Sequence, residues 1–186
     1  MELFKDAETL SAVRNTLVLA FSASIISTIM GTAAAVGINK LRNKYLRATM
    51  DTVTNIPMIN PDIITGISLM LMFVFVGRLF GSASSLSFWT MLIAHITFCL
   101  PYVILSVMPK FKQLQNLTYE AALDLGATPV YAFFKVVLPE IMPGIVSGFL
   151  LSFTMSVDDF VITHFTRGAG INTLSTLIYS QVKVGI

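Results

Sequence analysis

Four apolar runs, each long enough to cross a bilayer as a helix, divide this chain at about residues 16–38, 56–80, 88–108 and 141–163. A hydrocarbon core of about 30 Å takes roughly 20 helical residues. Water is absent there, so each run must satisfy its own backbone N–H and C=O groups, which a helix does within the segment. The sequence therefore predicts an all-α fold, a polytopic helical bundle in the membrane forming one domain over 1–186. Composition agrees, with 12% charged residues where soluble domains carry about 25%. A further apolar stretch, 174–184, is too short to span and is expected to re-enter the membrane or lie on its surface.

The connections carry their charge unevenly. Lys40, Arg42, Lys44 and Arg47 crowd the first, and Lys110, Lys112 and Lys135 occupy the third. The second, around Gly81 to Ser87, has only Arg78 at its edge. Basic connections stay in the cytoplasm, so the first and third are expected inside, and the N-terminal flank, the second connection and the C-terminal segment outside. A signal peptide is the rival reading of the first run, since Ala33-Ala34-Ala35 resembles a cleavage site. Against it, Glu2, Asp6 and Glu8 stand beside Lys5 and Arg14 ahead of the run and the basic cluster follows it, which favours a retained span.

Several function classes drop out. A net charge of +2 is too small to suggest a nucleic-acid partner. The single Cys99 forms no internal disulfide, and His95 and His164 lie too far apart to make a metal-ligand motif. No G-x-x-x-x-G-K-[ST] phosphate loop occurs, so the chain is not itself an ATPase; neither catalytic residues nor a cofactor of its own are expected.

The third connection, about 109–140, holds the helix-prone segment Glu120-Ala121-Ala122-Leu123-Asp124-Leu125-Gly126, with Leu138-Pro139 following twelve and thirteen residues after the glycine. Thr118 is expected to cap a first short helix, with Glu120 at the positive end of its dipole. Gly126 supplies a left-handed stop, and Thr128-Pro129 opens a second helix that Leu138-Pro139 ends before the fourth span. The result is an elbow hinged at Gly126. Ala121 and Ala122 admit a close partner surface, and Tyr119, Leu123 and Leu125 offer an apolar anchor. The plain alternative is a solvated connector between spans.

This block resembles the EAA loop of binding-protein-dependent (MetI-like) ABC importer permeases: Glu-Ala-Ala, three residues, Gly, nine residues, Ile, one residue, Leu-Pro. Only Val136, in place of isoleucine, departs from it. The resemblance implies a MetI-like permease core in which Glu120, Ala121, Ala122, Gly126, Leu138 and Pro139 couple the spans to an ABC ATPase subunit, where ATP and Mg would bind. It also implies a sister permease, an extracytoplasmic binding protein, and a place in the bacterial cytoplasmic membrane. Such permeases commonly have six spans with both ends inside. The four here align with spans two to five, so the first and last are expected to be missing and Met1 to be an internal start.

Asp158-Asp159 interrupts the end of the fourth run. Carboxylates at membrane depth normally face water, a partner or a pathway. The pair is either an aqueous helix end or a receiver for a cation, and both readings stand. Residues 57–68, 94–101, 151–159 and 179–185 resemble spermidine/putrescine permeases in collinear order, which implies a polyamine cargo. Fixed carboxylates would offset the water such a cation sheds, and aromatic faces at Trp89, Tyr102 or Phe160 would add about 0.5–2 kcal/mol. Asp158, Asp159, His95 and Trp89 are the candidate pathway residues. The plainer role for His95 is a hydrogen bond to a neighbouring helix. Pro57, Pro61 and Pro101 are expected to kink helices, and Gly31, Ala33, Ala34 and Gly37 to pack closely.

Other readings are an importer of a different amine, iron or thiamine, a non-transporting truncated scaffold, or an intramembrane aspartyl protease. The last needs carboxylates converging from separate helices, whereas adjacent ones point to different sides.

Overall fold

A computed structural model describes residues 7–41, 43–81, 86–113 and 116–184. Met1, Glu2, Lys5 and Asp6, Arg42, positions 82–85 of the second connection, and Gly185 lie outside the described residues. The elements in chain order are α1 (Ala7–Lys40), α2 (Lys44–Ile59), α3 (Asp62–Leu79), α4 (Phe88–Gln113), α5 (Asn116–Asp124), α6 (Pro129–Asp158), α7 (Val161–Thr166) and α8 (Leu174–Val184), with no strand among the described residues.

Helices α1, α4 and α6 pack pairwise into the core. Missing side chains let them approach. A Cβ at Gly31 of α1 would fall 2.7 Å from Val103 Cγ1, and one at Gly144 of α6 would fall 2.9 Å from the carbonyl oxygen of Ser106. Ala35, Val103, Ile104, Val107, Phe111, Val137 and Ile141 fill one end of this core, and Leu19, Ala23, Met91 and Leu92 fill the other. Ser27 and Ser152 join α1 to α6 through their hydroxyls at 2.9 Å. Ala34 packs against the core, but Ala33 and Gly37 do not serve packing as expected: both are exposed, and a Cβ at Gly37 would meet nothing within 4 Å. Outward positions such as Leu17, Phe21, Leu71 and Phe75 are apolar, which suits hydrocarbon.

The first connection contains a helix, α2, ahead of the expected second span. The side chain of Asn43 caps α2, accepting from the Tyr45 N–H at 2.9 Å. Tyr45, Leu46, Met50, Val53 and Ile56 stand exposed, while Arg47, Asp51 and Thr54 are half-buried. The expected second span therefore does not run unbroken from 56. Asn60 and Pro61 are extended, and α3 starts at Asp62. Proline disfavours helical geometry in the residue before it and has no N–H to give. Pro61 thus ends a helix where a kink was expected, whereas Pro101 lies inside α4.

The fourth expected span also changes its limits. Leu138-Pro139 does not end a helix: α6 runs on from Pro129 to Asp158. At Phe133–Val137 the turn widens, and the Leu138 N–H donates to the Phe133 carbonyl five residues back. Pro139 explains the widening, because its ring would collide with the carbonyl four residues earlier in a regular helix. At its far end α6 stops at Asp158 rather than 163, and α7 follows. Helix α3 packs on α7, with Gly66 against Phe165 and Ile162. Helix α8 is tied to α1 at its start, the Leu174 N–H donating to Thr16 Oγ1 at 2.8 Å.

Candidate functional site

The elbow lies at one end of the core. Helix α5 closes with two backbone bonds, Ala127 N–H to the Ala122 carbonyl at 3.0 Å and Gly126 N–H to that of Leu123 at 2.9 Å. This pairing needs a left-handed residue, and Gly126 has φ +87. Thr128 then accepts from the Tyr131 N–H through its hydroxyl, and Pro129 opens α6. Glu120 and Ala121 are exposed on α5, and Ala122 and Leu123 are half-buried. Leu125 is 89% exposed.

Two sequence expectations change here. Helix α5 has already begun at Asn116, so Thr118 sits within its first turn and is not the cap. Tyr119 is no outward anchor: it packs against the buried cluster around Phe111 and Val137 and so holds the elbow to the bundle. In its place the structure exposes Val130, Tyr131 and Phe134, which the sequence reading missed. Their signal was an apolar run just past a turn glycine. Beneath the elbow is a cleft of about 480 Å³, lined among others by Val36, Lys40, Phe111, Tyr119 and Phe134. Leu138 is half-buried and Pro139 exposed, both one turn or more away on α6.

The acidic break is at the opposite end. His95 of α4 is two turns in from Phe88, about 10 Å along the axis, and about 22 Å from Lys110 at the elbow end. Its ring is fully buried. Nδ1 lies 2.8 Å from Ser156 Oγ of α6, and Nε2 lies 2.9 Å from Thr163 Oγ1 of α7. Asp159, in the break between α6 and α7, has a side chain only 6% exposed. Its carboxylate accepts from the Ile162 N–H at 3.3 Å, the Thr163 N–H at 2.8 Å and Thr163 Oγ1 at 3.2 Å. Asp158 is exposed. The structure thus brings His95 and Asp159 together, turns Asp158 outward, and leaves Trp89 outside this network, 69% exposed beside Phe88. Ser156 and Thr163 escaped the sequence reading. The spacing of Ser152 and Ser156, four apart on one helix face, was the available clue.

Among the described residues no group of three or more His, Cys, Asp or Glu is placed to hold a metal ion. Among the described residues four helices, Glu8–Lys40, Asp62–Leu79, Phe88–Gln113 and Pro129–Asp158, are long and apolar enough to cross a membrane. The family described as binding-protein-dependent transport system inner membrane component matches residues 23–185, taking in both the elbow and the acidic break. The chain belongs to this family. Among relatives of this inner membrane component, the putrescine transport system permease protein PotI of Escherichia coli (strain K12) is 41% identical over 188 residues, covering 100% of this chain and 66% of PotI. The spermidine/putrescine transport system permease protein PotC of Haemophilus influenzae is 37% identical over 184 residues, 99% of this chain and 69% of that protein. PotC of Escherichia coli (strain K12) is 35% identical over 184 residues, 99% and 67% of the two chains. The chain spans about two thirds of the length of these relatives. As a multi-pass membrane component of this family, it carries its two groups of polar and acidic residues at opposite ends of one helical core.

Proposed function

We propose that the chain is a permease subunit of an ATP-driven importer of polyamines, putrescine or spermidine. The observation that carries this reading is the match, over 99–100% of the chain, to permeases named for those two cargoes. In this reading the elbow end faces the cytoplasm, where Lys40, Lys44, Arg47, Lys110, Lys112 and Lys135 stand. Glu120, Ala121, Ala122 and Gly126 present the elbow to an ABC ATPase subunit that binds ATP and Mg, while Leu138 and Pro139 carry its movement into α6. A sister permease completes the path, and an extracytoplasmic binding protein delivers the cargo.

The acidic break supports the cargo. Carboxylates near the end of a membrane span normally face water, a partner or a pathway, which supports a watery path or a partner at the exposed Asp158. A di- or tri-ammonium chain losing water there gains from a fixed negative charge. The reading is tested by reconstituting the assembled transporter, with ATPase, sister permease and binding protein, in liposomes. Putrescine or spermidine is expected to stimulate ATP hydrolysis and to accumulate inside. Absence of both in an assembly that still hydrolyses ATP overturns the polyamine assignment.

A further inference from the structure

We infer that His95 is a positioning residue: an Nε2–H imidazole that holds Asp159, through Thr163, as the fixed cap of α7, leaving Asp158 as the carboxylate of the break free to meet a cation. The inference rests on the reading of the break as part of a cation path.

A count of protons gives the direction of each bond. Thr163 Oγ1 carries one proton. Two of its neighbours, the Asp159 carboxylate oxygen Oδ2 at 3.2 Å and the Asp159 carbonyl oxygen at 3.3 Å, accept only, and all three contacts are met together when that proton goes to Asp159. In that arrangement the third neighbour, His95 Nε2 at 2.9 Å, donates to Thr163. A neutral ring with its proton on Nε2 leaves Nδ1 bare, and Nδ1 accepts from the Ser156 hydroxyl at 2.8 Å. The chain runs one way, from Ser156 to His95 to Thr163 to Asp159.

The same count separates the two carboxylates. Asp159 already receives two backbone N–H groups and one hydroxyl, in a site that is almost closed. A cation bound to it would have to displace the cap of α7. Asp158, one residue earlier, is exposed. His95 joins three elements at one ring, with Ser156 on α6, Thr163 on α7 and the ring itself on α4. Its role is to fix the angle at which α6 gives way to α7, and with it the direction in which Asp158 points.

The chain has two histidines, so the ring is accessible to nitrogen-15 magnetic resonance in bilayers once His164→Asn leaves His95 as the single labelled imidazole of the subunit in the assembled transporter. The expected spectrum has a protonated Nε2 and a bare Nδ1, and Thr163→Val is expected to abolish that preference. In uptake assays normalised to assembled complex, His95→Leu is expected to lose about tenfold, the upper end of the worth of a net hydrogen bond between neutral groups, whereas His95→Gln, whose amide reaches the Nε2 position, retains most activity. An Nδ1–H or doubly protonated ring overturns the proposal. So does equal uptake by the Leu and Gln variants, because a merely space-filling histidine would not distinguish them. Unchanged uptake in Asp158→Asn, with the Nε2–H spectrum intact, would instead remove the cation-path reading and leave the bonding scheme standing.

Discussion

His95 Nε2 stands 3.6 Å from Asp159 Oδ2, with Thr163 Oγ1 between them at 2.9 Å from the ring and 3.2 Å from the carboxylate. A carboxylate held this way is part of the scaffold, and its neighbour Asp158 is not. Substitutions at the two positions are therefore predicted to fail differently. Asp158→Asn is expected to lower polyamine uptake by about tenfold, roughly 1.4 kcal/mol of lost charge contact, with an unchanged unfolding temperature. Asp159→Ala is expected to lower stability by about 1 kcal/mol through loss of the α7 cap. Uptake in proteoliposomes and thermal unfolding in detergent, measured on the same preparations, separate the two. Identical behaviour of the variants would defeat the division.

At the elbow, Gly126 has φ +87 and open space around the position of a Cβ. Gly126→Ala therefore meets no clash, and its whole cost is the left-handed backbone, about 1–2 kcal/mol. The elbow is predicted to open, weakening co-purification of the ATPase subunit and the stimulation of its hydrolysis. Asn tolerates this conformation better than Ala, so Gly126→Asn is expected to fall between Ala and the native residue. An Ala variant that retains full coupling would show that the turn is not what the ATPase recognises.

Much of this was legible in the sequence, for reasons that differ by region. Apolar length alone marks α1, α3, α4 and α6, because a bilayer imposes it. Gly126 and Thr128-Pro129 were readable because turn and cap chemistry is local. The α2 helix was not. Its apolar residues at 45, 46, 50, 53 and 56 have helical spacing, but the basic residues beside them mark the segment only as a cytoplasmic connection. Leu138-Pro139 was read as a stop because proline usually is one, and a widened turn absorbed it instead. The partners of His95 were hidden for another reason: Ser156 and Thr163 are distant in sequence from position 95, and only the packing of α4 against α6 and α7 brings them to the ring.

Helix packing makes a prediction on stability alone. A Cβ at Gly144 would lie 2.8 Å from Lys110 Cγ, 2.9 Å from the Ser106 carbonyl oxygen and 3.3 Å from Val107 Cα. The lysine tip can swing away, but the backbone of α4 cannot, so α6 would be pushed off it. Gly144→Ala is predicted to destabilise by about 1–3 kcal/mol. Gly37→Ala, with nothing within 4 Å, is predicted to be neutral or to stabilise by up to about 1 kcal/mol through helix propensity. Thermal unfolding of the two variants in one detergent checks the ordering, and equal shifts would contradict the close approach of α4 and α6.

The last prediction concerns what the elbow shows to a partner. Leu125 is 89% exposed at the corner, while Tyr119, three residues into α5, is packed into the core cluster. Truncating each tests a different link. Leu125→Ala removes apolar surface that contributes nothing to the bundle. If that surface is buried in the ATPase, the loss is about 2 kcal/mol, a roughly thirtyfold weaker attachment. Its unfolding temperature in the isolated chain should not move. Tyr119→Ala empties part of the contact that fixes the elbow to Phe111 and Val137, so stability is expected to fall first and attachment only as a consequence. Affinity for the ATPase, measured with purified subunits in nanodiscs beside thermal unfolding, gives opposite signatures for the two variants. An ATPase that binds the Leu125→Ala chain as tightly as the native one would place the contact elsewhere on the elbow, with Val130, Tyr131 and Phe134 as the exposed apolar surface left to carry it.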